Sequence, residues 1–361
     1  MDIQPDIIYY NLSLICRKNN PTDPDVIAKF QEGRQDQLLT DAKNYTFSIT
    51  KFTLNSNNLP ILIPKIQTGQ PDINLTSYGM MINYNDGTAI AYTVPYYLEY
   101  DCRNKYFNNY VNPPLSQQDD NQYYYMLNLQ HFVDMFNSCL SSCYANIQQQ
   151  VTTLPSAPPE LVYNNDNTFS IYFNVALAGS QQFQLCLNDD LYNILRNFNY
   201  KVIDNNGFNH QFIITQRINN IVTINTVNYV IEKQFYPSLD NWSPVQSIVF
   251  QTSILGINPE RVSAPLILSN NNSQYNMNVN NTDDILTDIT LAVDNPCDYN
   301  SFIMYNANVY REANIIQDKI QKIDMNVGWK NKYNGKIYNI LLSDQDEITA
   351  KIKFERRKIK F

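Results

Sequence analysis

Six basic side chains close the chain: Lys351, Lys353, Arg356, Arg357, Lys358 and Lys360. Glu355 is the one acid among them, so the segment from Ala350 onward carries +5 while the whole chain carries −8. Cations at this density neutralise phosphates with release of counterions, and Phe354 or Phe361 could stack on bases. The opposing reading is an edge strand that its lysines guard against pairing with another chain. These six residues are the candidate contacts to nucleic acid or to a partner protein.

The other residues able to do chemistry are scattered. Cys139 and Cys143 lie four apart in a helical pattern and could share a face, but no histidine or third cysteine is near in sequence to complete a metal site. Packing thiols are the favoured reading. His131 falls in the same helix, at a core edge or surface, and His210 in a turn before a strand. Asp283, Asp284, Asp288 and Asp294 lack the alternating, glycine-containing loop of an EF-hand. The run Asp344, Gln345, Asp346, Glu347 reads as a solvated turn, with a weak calcium site as the alternative. No phosphate loop, nucleophile elbow, dinucleotide fingerprint or zincin motif is present. With 2 histidines and 9 glycines in 361 residues, the sequence assigns no catalytic, cofactor or metal residue and reads as a non-enzyme.

The composition points toward surfaces. About one residue in seven is asparagine, tyrosines number 27, and charged residues make up only 17%. Neutral amides hydrogen-bond readily to neighbours and repel weakly; an AT-rich genome would also enrich asparagine and tyrosine. A net charge of −8 excludes a general nucleic-acid binder. Cys16, Cys102, Cys139, Cys143, Cys186 and Cys297 show no disulfide-module spacing, which suits reduced thiols inside a cell. The start of the sequence carries no secretory signal pattern, and no apolar run approaches the roughly 20 residues of a membrane span.

The elements that must position these residues are mostly strands. Aromatic and β-branched runs predict them at 7–15, 45–54, 61–66, 89–100, 168–173, 183–187, 212–217, 221–232, 245–255, 285–293, 323–329, 337–342 and 348–354. Asn-rich turns separate them, at 55–58, 83–87, 164–167 and 205–207. Leu129, Phe132, Val133, Phe136, Leu140, Cys143 and Ile147 recur at three and four residues, predicting a helix over 128–149 that packs on one sheet. A short helix follows Asn188, whose side chain suits an N-cap, with Asp189 and Asp190 in its first turn. Two helices among a dozen strands argue against a βαβ-wound sheet. The expectation is an all-β fold of jelly-roll or Greek-key sandwich character with one long and one short helix. The Pro-rich stretch 154–160 reads as a linker between a β-rich domain, 1–153, and a second β-domain, 161–361; a second soft region spans 270–281.

A family resemblance becomes visible in the last third. Val245-Gln-Ser-Ile-Val-Phe-Gln-Thr252 leads to Ile285-Leu-Thr-Asp-Ile289, then to Asp324-Met-Asn-Val-Gly-Trp329-Lys-Asn-Lys-Tyr-Asn-Gly335, and finally to Lys351-Ile-Lys-Phe354. This order resembles the closing strands of minor capsid or penton-like proteins of small non-enveloped DNA viruses, including virophage- and polinton-like agents. The resemblance implies a jelly-roll capsid fold, no catalytic residues, homo-oligomers and other capsid proteins as partners, and a place in the virion after synthesis in the host cytoplasm or nucleus. Packaged nucleic acid would be a further partner through the basic C-terminus. The competing class on composition is a carbohydrate- or receptor-binding β-sandwich, because tyrosine and asparagine also suit sugar recognition.

Overall fold

The computed structural model describes residues 5–20, 23, 25–33, 37–55, 58–85, 90–102, 112–117, 121–177, 183–214, 220–239, 242–259, 266–268, 273–275, 284–290, 302–306 and 311–357. They form two compact units, one made of 1–60 together with 244–361, the other of 61–243. The second unit is therefore an insertion into the first. The boundary expected at 154–160 is not where the units divide, because a linker can be read from composition whereas the pairing partner of a strand cannot. Tyr144 Oη and Gln148 Nε2 both donate to Pro155 O, and Leu154 is buried, so the prolines form a pinned turn inside the second unit.

The outer unit is built from two antiparallel sheets. One runs Ile7–Ile15, Glu347–Arg356, Tyr45–Asn55, Phe302–Asn306, with Ala313–Asn314 also on Tyr45–Asn55. The other runs Asp284–Thr290, Val245–Thr252, Lys322–Asn331, Ile337–Asn339, with Lys29–Gly33 also on Lys322–Asn331. Neighbours far apart in sequence and facing sheets are the marks of a jelly roll. First and last strands pair without a slip, from Ile7↔Glu355 to Ile15↔Glu347. Period-two patterning sends Ile348, Ala350, Ile352 and Phe354 inward, where Phe354 meets Phe47 edge-on at 5.7 Å. Phe52 and Phe250 join the two sheets with ring centroids 4.9 Å apart. Trp329 is buried and stacks on Tyr338 at 4.8 Å. The adjacent Gly328 is needed for that approach, since a Cβ there would stand 2.8 Å from Tyr338 O.

The inserted unit also has two sheets. Its larger one runs Tyr200–Val202, His210–Phe212, Phe183–Leu187, Leu75–Asn85, Ile90–Tyr92, with Tyr96–Glu99 also on Leu75–Asn85. Its smaller one runs Ile221–Ile224, Val227–Lys233, Phe169–Asn174, Glu160–Tyr163. Phe173 links them through Phe183 and Phe212. The long helix spans Leu129–Gln150, with Asn128 Oδ1 accepting from Gln130 N–H at 2.7 Å. It was expected on one sheet and instead touches both. Phe132 meets Phe169 of the smaller sheet, while Tyr144 meets Phe183 of the larger. Its buried arc accordingly widens to include His131 and Met135. The short helix is Asp189–Ile194, capped by Asn188.

Several strand expectations need correction: the run 89–100 holds two strands, Ile90–Tyr92 and Tyr96–Glu99, and 337–342 holds Ile337–Asn339 and Leu341–Leu342. The run 221–232 is a hairpin whose turn residues Asn225 and Thr226 have φ of 48° and 67°. The segment 61–66 holds only isolated bridges, Leu62↔Met126 and Ile66↔Thr76, and of the strand expected over 212–217 only Phe212 is in a strand, His210–Phe212, while 215–217 lie outside the described residues. The 11-residue strand Leu75–Asn85 carried no clear signal because Gly79, two methionines and two asparagines dilute its β-formers, and Asn83 to Asn85 resembled a turn.

Candidate assembly surface

Lys351, Lys353 and Arg356 lie on the strand Glu347–Arg356, which is paired on both sides, so the edge-strand reading fails for them. Pointing away from the core, Lys351 sits over the Tyr9 ring at 5.6 Å, and Lys353, only 8% exposed, pairs with Glu355. Arg356 lies 3.6 Å from Asp6, donates to Tyr45 Oη at 3.2 Å and covers the Tyr45 ring. Arg357 donates through its backbone to Asn44 O and through its guanidinium to Ile315 O at 3.0 Å. Lys358 and Lys360 lie outside the described residues. The four described cations are thus strung along one strand and just past its end.

The remaining candidates are structural. Cys139 and Cys143 are buried, and burial pushes both thiols up, Cys143 to about 11 even though Thr93 Oγ1 lies 3.4 Å away. Cys186 is driven up to about 12 by the same desolvation. None of the three supplies a thiolate at neutral pH. His131, expected at a core edge or surface, is buried with its ring 5.4 Å from that of Tyr100. His210 opens a strand, bonds Asp189 at 2.8 Å and stacks on Tyr192 at 3.7 Å. The 344–347 acids form the expected turn: Asp346 Oδ2 accepts from Ser343 N–H, and Asp344 Oδ1 from Lys18 N–H. Asp288 lies on the strand Asp284–Thr290, while Asp283, Asp294 and Cys297 are outside the described residues. Most of 270–281 is outside them too. Among the described residues no group of three or more His, Cys, Asp or Glu could hold a metal ion, and no helix is long and apolar enough to cross a membrane.

What the fold does offer is surface. Two strands at sheet edges expose apolar side chains at alternate positions: Ile7, Tyr9 and Ile15 on the first strand, and Ile90, Tyr92 and Val94 on and just beyond Ile90–Tyr92. The sequence shows both runs as apolar but does not show which face lacks cover. Other edges are closed by amides. Asn137 of the long helix donates Nδ2 to Leu161 O at 2.9 Å and accepts Leu161 N–H at 2.8 Å, replacing a neighbouring strand. Asn188 does the same for the middle of Leu75–Asn85, accepting from Gly79 N–H and donating to Ser77 O while it caps the short helix. Gln234 Oε1 accepts from Phe169 N–H, while its own backbone N–H donates to Phe169 O.

Known proteins match this chain over nearly all of its length. Residues 8–356 fit the family described as Sputnik minor capsid protein V18/19. The chain belongs to that family. It is a viral structural protein, and the likeness read from the last third extends across nearly all of the sequence. The "Uncharacterized protein V18" of Sputnik virophage is 25% identical over 149 residues, 41% of this chain and 88% of that protein. A chain of the Sputnik virophage particle structure superposes with a TM-score of 0.76 at 22% identity over 98% of both chains. The mavirus penton protein superposes with a TM-score of 0.64 at 18% identity, over 98% of this chain and 100% of that one. These two share the fold described above.

Proposed function

We propose that the chain is a minor capsid or penton subunit that works through assembly contacts and catalyses nothing. The family match from 8 to 356 carries this reading, together with the jelly-roll sheets of the outer unit. Its partners are further copies of itself and other capsid proteins, its place is the virion, and it is made in the host cytoplasm or nucleus. Weak self-repulsion suits such a role, because only 17% of residues are charged. The test is particle composition: virions purified to homogeneity contain the chain at a fixed ratio to the major coat protein, and density for the jelly roll appears in the shell. Its absence from purified particles overturns the proposal.

The basic end supports a narrower proposal, contact with packaged nucleic acid through Lys351, Lys353, Arg356, Arg357, Lys358 and Lys360. Arg357 is exposed and precedes Lys358 and Lys360 in sequence, whereas Lys353 is the least available of the four described cations. Replacing Arg357, Lys358 and Lys360 by alanine lowers genome content per particle and weakens salt-dependent binding of the isolated chain to DNA. If particle yield falls while genome content holds, the tail meets an acidic neighbour instead; if neither moves, it is solubilising surface.

A further inference from the structure

The sequence holds two Asn-Gly dipeptides, Asn206-Gly207 and Asn334-Gly335. At such a step the glycine nitrogen can attack the asparagine side-chain carbonyl carbon, because the glycine has no Cβ to hinder the approach. The two sites share this local chemistry, and the fold treats them in opposite ways. Asn206 and Gly207 form the tip of the hairpin that joins Tyr200–Val202 to His210–Phe212. Phe208 N–H donates to Asn205 O at 2.8 Å, and the two central residues have φ of 49° and 88°. Turns with two positive φ angles favour Asn-Gly, which accounts for the residue types. It does not account for the openness of the reacting atoms. Both residues are exposed, neither the Asn206 amide nor the Gly207 N–H has a partner among the described residues, and a Cβ at Gly207 would meet nothing within 4 Å. The left-handed conformation of Asn206 is itself disfavoured for a residue with a side chain, so the turn gives way readily to the geometry of attack.

At Asn334 the reacting atoms are held. Its Nδ2 donates to Tyr338 Oη at 3.1 Å, and its Oδ1 accepts from Lys336 N–H at 2.9 Å. The Gly335 N–H donates to Asn331 O at 2.8 Å, and Gly335 is buried. We propose that Asn206 is a self-modification site, converting to aspartate and isoaspartate in the folded chain, while Asn334 stays intact. The Gly207 nitrogen gives its proton to solvent base and bonds to Asn206 Cγ; the Cγ–Nδ2 bond breaks, and Nδ2 leaves as ammonia with a proton taken from water. Water then opens the resulting succinimide. Breaking the new N–Cγ bond leaves aspartate, whereas breaking the original N–C bond leaves isoaspartate, with the main chain routed through Cβ and Cγ. The net change is one water consumed and one ammonia released. Each event adds a negative charge to a chain of net charge −8, two residues from Asp204. Isoaspartate also lengthens the hairpin by one main-chain carbon, which disturbs the Ile203 N–H bond to Asn209 O and the Asn205 N–H bond to Asn209 Oδ1. A subunit with weak self-repulsion thus gains a charged and reshaped hairpin as it ages. The inference goes beyond the capsid assignment and does not depend on it.

The test incubates the full-length chain in warm neutral buffer and follows both sites by peptide mass spectrometry, where conversion adds about one dalton. In the folded chain Asn206 converts at least about tenfold faster than Asn334, with isoaspartate among its products; in urea the two rates come within about threefold of each other. The Asn206 rate falls in acid, because the attacking nitrogen must lose its proton. Equal rates in the folded chain overturn the proposal, as does an Asn206 that stays intact while the unfolded chain converts. Aspartate without any isoaspartate would mean direct hydrolysis by water and would also overturn it. None of these outcomes bears on the presence of the chain in virions, so the capsid assignment stands or falls separately.

Discussion

At the scale of single residues, side-chain amides do the work that backbone does elsewhere. Asn137 and Asn188 each both donate and accept along an exposed or interrupted stretch of main chain, and Gln234 accepts from Phe169 N–H while donating to Arg196 O. Part of the asparagine excess therefore has a structural use that genome composition does not explain. Replacing Asn137 by leucine keeps the volume but strands the N–H and C=O of the fully buried Leu161, and stability falls by about 2–3 kcal/mol in urea unfolding. A midpoint unchanged from wild type would show that the Glu160–Tyr163 edge needs no closure.

Asp324 has a second, pH-dependent role at this scale. It is 1% exposed, and burial alone pushes its carboxyl up, but donors from Thr252, Ser253 and Ile254 outweigh burial and hold it below the usual carboxylate value. A folded-state value below the unfolded one adds stability that is fully present above the unfolded value, about 3.9, and is lost as pH falls through the folded value. The gap in denaturation midpoint between wild type and Asp324→Asn is accordingly wide at neutral pH and closes below about pH 4. A gap that stays constant to pH 2 would mean the carboxylate charge contributes nothing.

At the scale of elements, the last strand is the organising one. Glu347–Arg356 lies between the first strand and Tyr45–Asn55, so it holds both. A chain ending at Arg357 keeps every bond of that ladder and unfolds at the wild-type midpoint. A chain ending at Phe354 loses the Glu355 and Arg356 pairs, the Tyr45 contacts and the Arg356 N–H bond to Asp6 O, and loses about 1–3 kcal/mol. Equal stability of the two truncations would remove the strand from this position. The strand itself was legible, since Ile348, Ala350, Ile352 and Phe354 alternate with polar residues. Its central place was not, because lysines on one face look alike whether the strand has one neighbour or two. Both helices were legible for a related reason: caps such as Asn128 and Asn188 and a 3.6-residue period are local signals. The exposed stripe Ile90, Tyr92, Val94 stayed hidden within an apolar run, where burial is decided by distant strands.

At the scale of the whole molecule, one chain makes two β-units by interrupting the first with the second. Among the described residues, every strand pair of the inserted unit, from Leu75–Asn85 to Val227–Lys233, is closed within 61–243. The outer unit instead depends on pairing its first strand with its last, across more than 300 residues of sequence, from Ile15↔Glu347 outward. Contacts so distant in sequence form late, since the loop they close is long. The inserted unit, with its helix seated on both sheets, has no such requirement and folds as a continuous segment. Residues 61–243 expressed alone are expected to give dispersed amide resonances and a single cooperative thermal transition, and the intact chain to show hydrogen-exchange protection in Phe169–Asn174 before Glu347–Arg356 during refolding. A fragment that remains unfolded, or protection that appears first at the terminal strands, would show that the outer jelly roll is the template on which the insertion folds.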